Sequence, residues 1–111
     1  MNNKDLIKNF YEEVFNGLDA AAAAKYVRED YIQHNPTVKQ GRAGFIETFT
    51  EDFKHGFPRL EIQHIISEGD MICVHLHGCD RVSGRPICWV ADIYRVQDGL
   101  LAEHWDCIQA L

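Results

Sequence analysis

Hydrophobic residues in this chain change their spacing near residue 56, and that change limits the fold more than any other feature. Up to His55 the apolar residues recur at three- and four-residue steps; from Leu60 onward they alternate or run together. The first spacing is the period of a helix and the second that of a strand. Ile7, Phe10, Tyr11, Val14 and Phe15 form one helical stripe, with Asn3 placed to cap its start and Gly17 to end it. Asp19 is placed to cap a second helix over the alanine-rich residues Ala20 to Val27. A third is expected from about Arg42 to His55, where Phe45, Phe49 and Phe53 share a face before Gly56 and Pro58 stop it. Arg28 to Gln40, with the turn signal Asn35-Pro36, reads as a connection between helices. Strands follow at Leu60–Glu68, Met71–Val82, Ile87–Val96 and Leu100–Gln109, parted by Gly69-Asp70, Ser83-Gly84 and Asp98-Gly99. Helices grouped before hairpin-linked strands predict an α+β fold and not a doubly wound parallel sheet.

The 111 residues fit one domain, spanning 1–111. A formal charge of −6, with lysines scattered along the chain, argues against a nucleic-acid partner. The polar N-terminus and the lack of a long apolar run predict neither secretion nor a membrane span, hence a cytoplasmic protein. Cys73, Cys79, Cys88 and Cys107 lie in apolar stretches without a Cys-x-x-Cys pair and read as reduced, buried thiols.

Polar groups set inside apolar strands carry the functional signal, because burying one costs free energy unless it is paired. Asp92 stands in Trp89-Val90-Ala91-Asp92-Ile93-Tyr94. Loss of solvation there favours the protonated carboxyl, which suits a group that takes and returns a proton. A structural partnership with Arg81, Arg95 or a histidine is the alternative. His75 and His77 alternate with Val74 and Leu76, so they share one strand face. In Glu103-His104-Trp105-Asp106-Cys107-Ile108-Gln109, one parity holds Glu103, Trp105, Cys107 and Gln109 and the other His104, Asp106 and Ile108. Because Leu101 shares the parity of Trp105, that set is expected to face inward, although a bulge would reverse it. His34 and Asn35 fall where a pocket rim would lie. The histidines and aspartates include metal-ligating types, but no compact ligand motif is present, and no nucleophile elbow, phosphate loop or dinucleotide fingerprint appears.

Tyr31-Ile32-Gln33-His34-Asn35-Pro36, Gly41-Arg42-Ala43-Gly44-Phe45, Val74-His75-Leu76-His77, Ala91 to Gly99 and Glu103 to Gln109 together resemble the SnoaL-like proteins. These belong to the nuclear transport factor 2-like superfamily, which also holds ketosteroid isomerase. The resemblance implies a cone: a bent mixed sheet whose concave face, with the helices, encloses a pocket. It implies a homodimer through the outer face, and intramolecular aldol cyclisation with an aspartate as acid/base and neither metal nor cofactor. Carried onto this chain, Asp92 and Asp106 are the candidate acids/bases, and His34, His75, His104 and Trp105 the pocket or orienting groups.

Two functions lead as expectations, ahead of a third, metal-assisted hydrolysis. In the first, Asp92 abstracts a proton next to the carbonyl of a small hydrophobic compound, His34 or His75 steadies the enolate oxygen, and aromatic side chains such as Trp89 hold the apolar body. Asn35, His104, Trp105 and Gln109 complete that substrate set, with Asp106 as the second acid/base. In the other, the same pocket binds an apolar ligand or a partner protein without catalysis.

Overall fold

A computed structural model describes all of residues 1–111. Helix α1 (Asn3–Phe10) is capped by Asn2, whose side chain accepts from the Asp5 backbone N–H at 2.8 Å. That cap lies one residue before the expected Asn3. The helix continues as a wider π-helical turn over Tyr11–Asn16. The π turn lets Tyr11, Val14 and Phe15 all reach the core, where each is at most 6% exposed. Gly17 ends it because a Cβ there would sit 2.4 Å from the Glu13 carbonyl oxygen. The alanine-rich segment after Asp19 is a tight 3-10 turn, Ala20–Lys25, not a full helix. Helix α2 (Gly41–Lys54) lays Phe45 and Phe49 against Phe15.

Five strands form one sheet: β1 (Val27–Gln33), β2 (Arg59–Glu68), β3 (Met71–Cys79), β4 (Pro86–Gln97) and β5 (Leu100–Ala110). Their order is β1-β5-β4-β3-β2, antiparallel except for β1, which runs parallel to β5. Asp98 and Gly99 both take positive φ, 54° and 77°, as a two-residue hairpin of the primed type requires. The sheet therefore curves around the helices as an α+β cone with its core on the concave side.

Two expectations need correction. Val27–Gln33 is a strand, not a connection. Arg28, Glu29 and Asp30 hide its alternation, yet they sit on an edge strand where charge is well tolerated. In β5, Arg95 pairs with Glu103 while Val96 pairs with Leu101, so Ala102 is an extra residue. Leu101 and Ala102 are both buried, and beyond this bulge the inward parity is that of His104 and Asp106. Trp105 and Gln109 consequently lie on the outer face.

Candidate active site

The concave face of the sheet and helix α2 enclose a cavity of about 270 Å³. One end is apolar, with Phe15, Phe45, Phe49 and Phe57 from the helical side facing Leu76 and Val90 of the sheet. The other is polar and built from consecutive inward positions. Asp92 and Tyr94 come from β4, His104 and Asp106 from β5, and Tyr31 and Gln33 from β1. Asn35, just beyond β1, closes that end.

Tyrosines aside, three polar or charged residues are buried, Gln33, Asp92 and His104, and all three join one network. Its protons can be placed by hydrogen-bond logic. The Asn35 backbone N–H donates to Gln33 Oε1 at 3.0 Å, which settles that this end of the amide is oxygen. His104 Nδ1 lies 2.7 Å from the same oxygen, so Nδ1 carries a hydrogen and donates. His104 Nε2 lies 2.9 Å from Asp92 Oδ1, and one proton joins that pair. The Tyr11 hydroxyl donates to Asp92 Oδ2 at 2.5 Å, and the Tyr94 hydroxyl donates in turn to Tyr11 at 2.7 Å. Both oxygens of Asp92 are thus engaged by protein.

Asp106 is placed differently. It stands directly opposite Asp92 in the β4–β5 ladder, a juxtaposition of carboxyl groups that repels unless a proton donor lies between them. His104 intervenes: its Nε2 is 2.9 Å from Asp92 Oδ1 and 3.8 Å from Asp106 Oδ2. Asn35 Nδ2 donates to Asp106 Oδ2 at 2.9 Å and is held in that orientation by Thr37, whose N–H and hydroxyl donate to Asn35 Oδ1. No protein donor engages Asp106 Oδ1, and the side chain lines the cavity. The surroundings also act on the phenols. Burial first, then the Asp92 charge, pushes Tyr11, Tyr31 and Tyr94 well above the ordinary tyrosine range.

Asp92, His104 and Asp106 offer ligand atoms within 4.8 Å of one another, the only such trio in the chain. Both nitrogens of His104 and both oxygens of Asp92 are already hydrogen-bonded, so a cation would have to break the Asp92–His104 contact to gain its ligands.

The remaining sequence candidates lie on the other side of the sheet. His34 Nε2 donates to Glu103 Oε2 at 2.7 Å and the ring stacks on Trp105 with ring centroids 4.8 Å apart. His75 stacks on Trp89 at 4.5 Å and meets His64 at 3.0 Å between Nδ1 atoms. Gln109 is exposed opposite Trp89. None of these five lines the cavity, because the sheet's pleat sends their parity outward. The structure therefore brings Asp92, His104, Asp106 and Asn35 together and leaves His34, His75, Trp89, Trp105 and Gln109 apart from them. Nothing in the sequence gives Tyr11, Tyr31, Gln33 or Tyr94 a site role of its own, although Tyr31 and Gln33 stand in the segment that holds His34 and Asn35. Tyr11 looks like core in its helical stripe. Tyr94 could have been found from its parity with Asp92, and Gln33 from its place beside His34.

A family model described as SnoaL-like polyketide cyclase matches residues 5–111. The chain belongs to that family. Among solved structures, this SnoaL-like chain is similar to wild-type IdmH from Streptomyces antibioticus, at 21% identity and a TM-score of 0.75 over 98% of this chain and 93% of that one. It is likewise similar to a SnoaL-like polyketide cyclase from Agrobacterium tumefaciens, at 14% identity and a TM-score of 0.77, covering 98% and 92%. A nuclear transport factor 2-like protein from Cytophaga hutchinsonii matches at 15% identity and a TM-score of 0.75, covering 98% and 91%. These structures share the SnoaL-like fold. No curated protein matches the chain. No helix is long and apolar enough to cross a membrane.

Proposed function

We propose that this SnoaL-like domain performs acid–base chemistry next to the carbonyl of a small apolar compound, as an intramolecular aldol cyclase or a closely related isomerase or lyase. One observation carries the reading: a carboxylate, Asp106, presents an oxygen without a protein partner at the polar end of a cavity that is otherwise mostly apolar. A base must reach its proton before anything else matters. Asp106 satisfies that condition, whereas Asp92, the first candidate in the sequence, has both oxygens occupied.

In the proposed step Asp106 takes a proton from the carbon beside the carbonyl. The C–H electron pair becomes the C=C bond of an enolate, and the carbonyl oxygen takes the negative charge. For an aldol closure the enolate carbon then bonds to a second carbonyl carbon of the same molecule. The oxygen of that second carbonyl accepts the proton back from Asp106. The sequence is redox-neutral and balances without a co-reactant. His104, held by Asp92 and Gln33, keeps a donor beside Asp106 and offsets the paired carboxylates. Asp92 is therefore a positioning residue, working through His104.

Proton exchange tests the reading without the natural substrate. In heavy water the protein should catalyse deuterium incorporation beside the carbonyl of a small aryl ketone such as acetophenone. Asp106→Asn should abolish it, whereas wild-type protein with no exchange above buffer would leave the domain a binding module.

We further propose that the outer face of the sheet pairs two copies of the chain. Trp89 and Trp105, each half-buried under a histidine, and the exposed Ile66 support this. Light scattering should report twice the monomer mass, falling to one on Trp89→Glu.

A further inference from the structure

Tyr31 is the one cavity-lining hydroxyl that no protein group uses. Its residue is 2% exposed and its ring packs edge-on against Phe45, yet its hydroxyl, which makes no hydrogen bond to protein, is not sealed away but opens onto the cavity. A polar atom in such a place takes its partner from the cavity, water when it is empty of ligand and the ligand when it is filled. The neighbouring polar groups are already committed. Tyr94 donates to Tyr11, Gln33 Oε1 accepts from His104 and Asn35, and both nitrogens of His104 are engaged.

We propose that the Tyr31 hydroxyl grips the substrate, donating a hydrogen bond to the oxygen of a neutral carbonyl compound while Asp106 faces the carbon beside it. This rests on the acid–base reading above and deepens it. Burial, reinforced by the charges of Asp92 and Asp106, keeps the Tyr31 phenol protonated far into alkali, so it serves as a donor. A donor aimed at an oxygen that gains negative charge during the reaction is worth about 100- to 1000-fold in rate. Neutrality of the ligand follows from the lining. Asp52, Asp92 and Asp106 face the cavity and neither lysine nor arginine does. An anionic ligand would meet like charge with a single imidazole to offset it. About 270 Å³ lies just below the usual range for ligand pockets of roughly 300–1000 Å³, which points to a small, compact compound.

Acetophenone, isotopically labelled at its carbonyl carbon, is the probe. Its carbonyl stretch is read by infrared difference spectroscopy in wild-type protein, Tyr31→Phe and Tyr94→Phe, alongside the deuterium exchange described above. Wild-type protein should bind it saturably and lower the stretch relative to the ketone in dry alkane. Tyr31→Phe should restore the alkane value, weaken binding about fivefold and slow exchange roughly 100-fold or more. Its melting temperature should not fall, since no protein partner is lost. Tyr94→Phe should keep the shift. Benzoate, of similar size but anionic, should bind more weakly than the ketone.

An unshifted stretch in the wild-type complex overturns the proposal whatever the variants do. So does a shift that Tyr31→Phe leaves intact, benzoate binding as tight as the ketone, or no ketone binding at all. Exchange that still depends on Asp106 alongside an unshifted stretch would sink Tyr31 and spare the acid–base reading. A Tyr31-dependent shift without exchange would sink that reading and spare the grip.

Discussion

Replacing Asp92 by asparagine should change the protonation of His104 while leaving the fold in place. In the native network His104 Nδ1 donates to Gln33, and one proton joins Nε2 to Asp92 Oδ1. Asparagine can satisfy the same neighbours by turning its oxygen toward Tyr11 and its NH2 toward His104. Nδ1 remains protonated because Gln33 is still oriented by the Asn35 N–H. Nε2 then becomes a bare acceptor and His104 is neutral. A hydrogen bond to a charged group is worth about 1.5–3 kcal/mol and a neutral one about 0.5–1.5, so weakening both bonds by about 1–1.5 kcal/mol each should cost about 2–3 kcal/mol. Alanine instead strands two buried donors, the Tyr11 hydroxyl and His104, at about 1–3 kcal/mol each, hence about 2–6 kcal/mol in all. Against a total stability of about 5–15 kcal/mol, Asp92→Ala should be close to unfolding and Asp92→Asn should not. Urea denaturation supplies the energies, and nitrogen NMR of ring-labelled histidine supplies the protons. A protonated Nε2 in Asp92→Asn, a bare Nδ1 in the native protein, or equal costs for the two variants would contradict this proton assignment.

Other consequences follow from the same structure. Tyr11, Tyr31 and Tyr94 are held above the ordinary tyrosine range, so the folded state keeps protons that the unfolded chain releases near pH ~10. Their contribution is complete below that pH and fades as pH rises toward the folded values; in an absorbance titration these phenols should ionise only with cooperative unfolding, and smooth ionisation of every tyrosine in folded protein would contradict their burial. Glu103 is held below the usual carboxylate range, chiefly by its hydrogen bond to His34 and then by Arg95. Its contribution is present above the unfolded value near pH ~4.3 and is lost as pH falls through the lower folded value, so Glu103→Gln should flatten the acid limb of the stability curve. An unchanged acid limb would show that the outer-face ion pairs contribute nothing measurable.

Much of this architecture is legible in the residues because each strand of the second half carries its own signal. Asp98-Gly99 marks a hairpin by its need for positive φ, and the structure shows positive φ at both positions. Strand β1 is illegible because Arg28, Glu29 and Asp30 interrupt its alternation, and its pairing partner, β5, lies far off in sequence. The site shows the same division. Asp92 stands out as a carboxylate among apolar neighbours, and the structure buries it. The inward face of β5 could not be read from parity, because a single extra residue, Ala102, exchanges the set with Trp105 for the set with His104 and Asp106. The histidines that alternate most clearly, His75 and His77, contact Trp89 on the outer face, so alternation marks a shared face and does not say which. Tyr11 is invisible for another reason. A tyrosine in an apolar stripe looks like packing until its hydroxyl's neighbours are known.

In the proposed chemistry the polar end of the cavity receives a carbonyl, and a crystal of the protein soaked with acetophenone reads that placement. It should show the ketone oxygen within hydrogen-bond reach of the Tyr31 hydroxyl and the methyl carbon about 3–3.5 Å from Asp106 Oδ1. A ketone whose oxygen points toward Phe49 and Phe57, or one found only on the outer face beside Trp89, would contradict it.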